Sequence, residues 1–439
     1  MTRGQPRGLV AMAVVAAVLT AATVVVIDRR AAVLSTAERT KAIDPSRTVG
    51  GLDRTSSSGT RLAYGDGFVR GVAVAGGSFG DGTHTGGRVP MTNSDPGTYG
   101  TDWFYDVDGQ ERIDDAGLAY LADRGVGVIR VDFRWERLQP RLRGPLDPAE
   151  VRRLTALLDA ARANGLGVIL DCHNYGHYKT AGSPNVGSPQ GGWPIGHARA
   201  PVAAFADLWR RVAARWNEHP ALWGWELMNE PVDMGRAGRH RWQRASQAAV
   251  DAVRSVGGFR EQKAILVAGY SWSTVQQWEE VNGDPWIDDP LHDPHRLIYV
   301  GHHYWDGDND SVYGTETPAD LSGSVAVHRT KVLAQLRDFT GWLRRHHVRG
   351  AITEVGWPAG AGWNRVAEAW FDEADRARLH VVSWATGAAW GDYELLPYEA
   401  TGGSWHAGDV IDRANTQATV LESHPTRRVN ARDPRTSAH

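Results

Sequence analysis

Two glutamates, Glu230 and Glu354, each stand at the end of an apolar run: Leu222–Met228 leads into Asn229-Glu230-Pro231, and the run from Gly350 closes on Glu354 itself. Two carboxyls that face one another can cleave a glycosidic bond, one protonating the leaving oxygen while the other works at the anomeric carbon. Asn229, beside the first of the pair, is placed to hydrogen-bond a sugar 2-hydroxyl, an interaction that strengthens as oxocarbenium character develops. Other apolar runs end in the same style, in Arg130, Asp132 and Arg134, in Asp171, Cys172, His173, Asn174 and Tyr175, and in His302, His303, Tyr304 and Asp306. On extended chain, His302 and Tyr304 share a face, whereas Cys172 and His173 point to opposite faces, which disfavours a thiol nucleophile.

Eight short runs could be strands: Gly67–Gly76, Gly125–Val131, Gly165–Asp171, Leu222–Met228, Lys263–Gly269, Arg296–His302, Gly350–Glu354 and Leu379–Ala385. Amphipathic stretches with apolar residues every three or four positions separate most of them: Pro148–Asn164, Pro201–His219, Trp242–Val256, Val325–His347 and Val366–Arg378. Gly165 and Gly257 fall where helix ends favour a left-handed residue. This alternation predicts an α/β fold, a (β/α)8 TIM barrel, with an open doubly wound sheet as the alternative. The run Gly71–Gly77 lacks dinucleotide-binding glycine spacing, which weakens that alternative. In a barrel of this kind the ends of strands four and seven face each other across the mouth, so Glu230 and Glu354 can converge there.

With these residues in place, the chain resembles glycoside hydrolase family 5, in the retaining clan A. Asn229-Glu230-Pro231 and Glu354 match its fourth and seventh strand ends. Arg130…Phe133…Trp135…Arg137…Pro140 matches the second, His173-Asn174-Tyr175 the third and His302…Tyr304 the sixth. Trp384…Gly387…Trp390-Gly391-Asp392-Tyr393 matches the eighth. The resemblance implies double displacement with Glu354 as nucleophile and Glu230 as acid/base. It also implies substrate contacts from Arg130, His173, Asn174, Asn229, His302, Tyr304 and Trp384, the last lying under the sugar at the cleavage point. It departs at Asp132, where the family often has proline, a carboxylate that could alter a subsite or the charge around Arg130. Arg130 beside Glu354 would keep that carboxylate ionised, while a desolvated Glu230 would hold its proton. Glu226 shares the strand face of Glu230 but lies roughly 13 Å deeper by strand rise, as a buried polar anchor. Trp135, Trp193, Trp272, Trp305 and Trp357 are candidates for outer sugar platforms, about half of them core instead.

The 439 residues carry 48 Lys and Arg against 51 Asp and Glu, a net of −3 that recruits no nucleic acid. A single cysteine excludes an intrachain disulfide, and the histidines lack the tight helical spacing of a zinc motif, so neither metal nor other cofactor is expected. Residues 1–30 read as a signal peptide or membrane anchor around the uncharged run Leu9–Ile27, and 31–60 as a linker. Residues 61–422 form the catalytic barrel and 423–439 a flexible tail. These features together predict a monomeric, extracytoplasmic enzyme, secreted or anchored, that takes a polysaccharide or oligosaccharide. A cellulase-type endo-β-1,4-glucanase leads, ahead of a β-mannanase, an exopolysaccharide-processing glycosidase and a non-catalytic carbohydrate-binding barrel. A phosphate-using barrel enzyme fits poorly, because no glycine-rich phosphate loop follows strand seven or eight.

Overall fold

The computed structural model describes residues 67–78 and 115–427, apart from 181, 186–189, 259–261, 310, 388–392 and 401–410. The expected anchor, the linker and the residues Trp390, Gly391 and Asp392 lie outside the described residues. Among the described residues no helix is long and apolar enough to cross a membrane.

Eight parallel strands close into a barrel: β1 (Arg70–Val74), β2 (Val128–Phe133), β3 (Gly167–Cys172), β4 (Leu222–Glu226), β5 (Ala264–Ala268), β6 (Leu297–His302), β7 (Arg349–Glu354) and β8 (His380–Thr386). Each of the eight runs read from the sequence overlaps one of them, and no strand extends more than two residues beyond its run. Consecutive strands are neighbours all the way round and β1 pairs with β8, which is the closed-barrel arrangement and not the open sheet.

Helices connect the strands, and their apolar spacing says how they sit. The helix α1 (Pro148–Ala163) starts from Asp147, whose side chain accepts from the backbone of Ala149 and Glu150, with Pro148 where a missing N–H costs nothing. Its Leu154, Leu157, Leu158 and Ala161 are buried at helical spacing in one layer with Val168, Leu170 and Cys172 of β3. Gly165 follows at φ 72°, and Gly257 sits at φ 77° after the helix α2 (Gly238–Arg254). The alternate residues of the strands turn inward, which is why Arg130 and Asp171 meet inside the barrel at 3.0 Å.

One irregularity matters for the chemistry. Gly301 pairs with Ile352 but His302 pairs with Glu354, so Thr353 is an extra residue on β7. Such a bulge lets two consecutive residues face the same side, and Thr353 and Glu354 both reach the barrel interior. At the opposite end of the barrel, Phe68 and Arg427 exchange backbone hydrogen bonds of 3.1 and 3.0 Å, so the chain stays tied down as far as Arg427.

Candidate active site

Glu354 stands at the end of β7 with both oxygens engaged. Arg130 of β2 donates to Oε1 at 2.8 Å, and the Tyr304 hydroxyl donates to Oε2 at 2.8 Å. Burial alone would raise its pKa, but the His302 imidazole and then the Arg130 guanidinium overcome this and hold the carboxyl below its ordinary range. Glu230 lies just beyond β4, at φ 42°, a left-handed conformation rare for such a side chain. Burial and the neighbouring charge of Glu354 push its pKa up. Oxygens of the two carboxyls approach within 4.8 Å. That is the close spacing of retaining glycosidases, roughly 5–5.5 Å, and well short of the roughly 6.5–9.5 Å of inverting ones.

His302, at the end of β6, joins the pair. Its Nδ1 is 2.8 Å from Glu230 Oε1 and 3.5 Å from Glu354 Oε2, while Nε2 lies 3.1 Å from Thr353 Oγ1. The Thr353 hydroxyl in turn donates to Glu226 at 2.9 Å, which leaves its oxygen free to accept from Nε2. Burial opposes a charge on this ring, yet Glu354, Glu226 and Glu230 raise its pKa to about 10. Glu230, His302 and Glu354 have donor atoms spaced as a metal site would need. Arg130, Tyr304 and an imidazolium already satisfy those same atoms, and a cation would have to displace them.

Arg130 stands beside Glu354 as expected and is a hub as well. Besides Glu354 it donates to both oxygens of Glu226, at 2.8 and 2.9 Å, and to Asn229 Oδ1 at 2.8 Å. Burial works against its charge, but Asp171, Glu226 and Glu354 together raise its pKa well above the ordinary value. Glu226 is therefore the anchor read from the sequence, held as a carboxylate at about 2. The depth inferred from strand rise does not carry over to the side chains. β4 ends at Glu226, the chain turns before Glu230, and the single His302 ring lies 4.0 Å from Glu226 and 2.8 Å from Glu230.

On β3, Asp171 Oδ2 accepts from His173 Nδ1 at 2.7 Å, which leaves Nε2 to accept from Asn229 Nδ2 at 3.1 Å. The Tyr175 hydroxyl lies 3.2 Å from the same nitrogen. Trp384 stacks on His173 with ring centroids 5.8 Å apart and completes the floor. Gly356 is needed behind it, since a Cβ there would come within 2.6 Å of the Trp384 carbonyl oxygen.

Of the nine residues named from the sequence, eight gather here. Asn174 does not join them: its Oδ1 accepts from the Trp135 backbone and its Nδ2 donates to Glu136 at 2.6 Å, so its amide braces the loop after β2. Asp132 also differs from expectation. Its carboxylate accepts from the backbone N–H groups of Gly76, Gly77 and Ser78, at 3.2, 3.0 and 2.8 Å, and so fixes the loop after β1 instead of modifying the field at Arg130. Arg134 and Arg137 donate to carbonyls of the same loop. Cys172 is buried, with its thiol pushed up by burial. His303 packs behind the wall between Gln335 and Trp370, its pKa lowered to about 4 by burial.

The platform candidates divide by exposure. Trp135, Trp305 and Trp357 are buried core, the last two stacked at 5.5 Å. Trp272 is 38% exposed and lies edge-on to Tyr175 at 6.1 Å. It sits in a run of three left-handed residues, Ser271, Trp272 and Ser273, a strained turn that the Ser273 hydroxyl pins to Gly269 and Val300. Asp171 and Tyr175 stand at a strand end picked out in the sequence but without an assigned role, and Thr353 was not expected to take part. The i, i+2 spacing of Asp171, His173 and Tyr175 carried a signal, whereas the inward turn of Thr353 depends on the bulge.

The family described as Cellulase (glycosyl hydrolase family 5) matches residues 89–389, more than half of the chain. The chain belongs to this family. It is 28% identical over 342 residues to endo-β-1,4-glucanase A of Emericella nidulans, covering 76% of this chain and 87% of that one. It is 27% identical over 343 residues to endoglucanase gh5-1 of Neurospora crassa, covering 76% and 73%. The crystal structure of Pseudomonas stutzeri endoglucanase Cel5A in complex with cellobiose superimposes with a TM-score of 0.63 at 29% identity, covering 82% of this chain and 95% of that one. This family 5 member is thus a glycoside hydrolase built on a (β/α)8 barrel.

Proposed function

We propose that this glycoside hydrolase is an endo-acting β-1,4-glucanase that works by double displacement, with Glu354 as nucleophile and Glu230 as acid/base. The observation that carries the reading is the opposed ionisation of two carboxyls within 4.8 Å: burial and Glu354 raise Glu230, while His302 and Arg130 keep Glu354 low. Glu354 attacks the anomeric carbon as Glu230 gives its proton to the departing oxygen. Glu230 then takes a proton from the water that releases the glycosyl-enzyme. Arg130 and Tyr304 hold the nucleophile in place, and Trp384 offers an apolar face to the sugar above it. Asn229 is fixed by Arg130 and His173 and keeps a second amide N–H for a sugar hydroxyl.

The glucan preference draws on the endoglucanase relatives, and Trp272 at the mouth suits a second sugar ring. A barrel that only bound carbohydrate would have no use for a proton held beside an ionised carboxylate. Export, with residues 9–27 as leader or anchor, accords with a polymer too large to enter a cell. Incubation with β-1,4-glucan and β-1,4-mannan tests the reading through reducing ends and viscosity. Glucan should lose viscosity early while reducing ends accumulate. Release from mannan alone, or from neither, would overturn it.

A further inference from the structure

We propose that the leaving-group side of this cleft is built for a β-glycan chain that bears carboxylate groups, an inference that rests on the endo-hydrolase reading above and names its substrate more closely.

The loop that follows Glu230 carries Arg236, Arg239 and Arg241, with Asp233 as its one acid, in a chain whose net charge is −3. This concentration is local. The helix α2 begins within it, at Gly238, with no acidic residue in its first turn and no side-chain cap from Ala237. Cations at a helix N-terminus oppose the macrodipole, so helix stability does not account for them, whereas an anion would relieve both the dipole and the arginines.

A second element brings more of the same chemistry. Arg241 donates to the Met234 carbonyl at 3.0 Å, and its side-chain methylenes lie 3.6 Å from where a Cβ on Gly196 would stand. The segment around Gly196 holds Trp193 stacked on His197 at 4.7 Å, with the Arg199 guanidinium 4.9 Å from the same indole. Arg199 and Arg236 are exposed. None of Arg199, Arg236, Arg239 and Arg241 is ion-paired among the described residues.

These residues are continuous with the cleft. Ser271 donates to the Pro231 carbonyl at 2.9 Å, which sets Trp272 beside the residue that follows Glu230. Ile195 donates to the Gly176 carbonyl at 2.9 Å, one residue past Tyr175, which Trp272 contacts. Glu230 protonates the departing oxygen, so the loop leaving Glu230 borders the departing chain. An indole flanked by cations matches a sugar ring with a carboxylate: the ring stacks and a guanidinium takes the carboxylate in a two-pronged hydrogen bond. Continuity with the cleft favours a polysaccharide over a membrane surface.

The test compares kcat/KM on a β-1,4-glucan partly oxidised to carboxylate at C6 with that on a neutral hydroxyethylated β-1,4-glucan. The native chain and the double variant Arg199→Gln/Arg236→Gln are measured side by side. The native chain should prefer the carboxylated polymer by about tenfold, the size of one or two charge-assisted hydrogen bonds. The preference should vanish near about 1 M salt and in the double variant, and the Arg199→Lys/Arg236→Lys pair should restore part of it. Equal ratios in native and double variant, with neutral glucan still cleaved, would overturn the inference and leave the endo-glucanase reading intact. If neither polymer is cleaved, that reading fails. The inference is then decided by equilibrium binding of a carboxylated cello-oligosaccharide, which must weaken in the double variant or the inference falls as well. Binding to phosphatidylserine vesicles that the double variant loses, with no change in the polymer ratio, would assign the arginines to a membrane and overturn it.

Discussion

His302 Nδ1 lies 2.8 Å from Glu230 Oε1, so the Glu230 carboxyl and the imidazole share one hydrogen bond, and the same nitrogen is 3.5 Å from Glu354. The proposed double displacement needs Glu354 ionised and Glu230 protonated. The ordinary carboxyl value is 4.5, with Glu354 held below it and Glu230 above it. Activity should therefore rise as pH climbs through Glu354 and fall as it climbs through Glu230. A pH profile of kcat/KM on an unactivated cello-oligosaccharide, whose leaving oxygen needs the proton, reads both limbs. Glu230→Gln should erase the alkaline limb, and its survival would assign that limb to another group.

The two glutamates should differ in how azide rescues their loss. Glu354→Ala should abolish turnover, and azide entering the vacated space should yield the α-glycosyl azide by a single inversion. Glu230→Ala should lose about 10²–10⁴-fold on poor leaving groups, keep good ones, and give the β-azide through two inversions. Product anomers read by NMR check this, and exchanged anomers would reverse the roles.

Much of this arrangement is legible in the amino-acid sequence. The eight strands and the facing of Glu230 and Glu354 follow from apolar runs that end in polar groups, because barrel geometry sends such ends to one mouth, and the place of Arg130 beside Glu354 was implied by the family resemblance. Asn174 and Asp132 show the limit. Both sit at strand ends of the right kind, but their side chains answer the hydrogen-bonding needs of nearby loops, at Trp135 and Glu136 and at Gly76–Ser78. Which partner an end-of-strand amide or carboxylate finds depends on loop paths that periodicity does not encode. The core placement of Trp135, Trp305 and Trp357 is of the same kind, since an indole's value to a sugar and to a core look alike in sequence.

Thr353 is expected to act through His302. Thr353→Val keeps the shape but removes the oxygen that accepts from Nε2, so the imidazolium loses support and with it the chief charge that keeps Glu354 low. The acid limb of the pH profile should move upward and kcat should fall about tenfold, while Thr353→Ser should keep the native profile. An unchanged limb would make Thr353 a packing residue only.

Trp272→Ala should weaken the grip on long substrates. Loss of one stacking face is worth about 0.5–1.5 kcal/mol, so KM for a polymer should rise a few-fold with kcat little changed. Short aryl glycosides, which do not extend that far, should be indifferent. An equal effect on both would place the indole in fold stability.

Glu226 should be visible in acid unfolding. Its folded pKa of about 2 lies below the ordinary 4.5, so the stability it contributes is complete above 4.5 and is lost as pH falls toward 2. Thermal melts across that window should steepen in the native chain. Glu226→Gln should be less stable at neutral pH and flatter below 4.5, and parallel curves would refute the assignment.

The extra residue on β7 also sets a parity. Because side chains on a strand alternate, Thr353 reverses the sense of everything after it, and Glu354 faces inward only as a result. Were the Ile352–Glu354 stretch to pair regularly with β6, Thr353 would still face inward but Glu354 would turn into the wall behind the barrel. One of the two carboxylates of the cleft thus owes its direction to an irregularity in the sheet, so that perfect strand pairing across Ile352, Thr353 and Glu354 would be the poorer arrangement for the site.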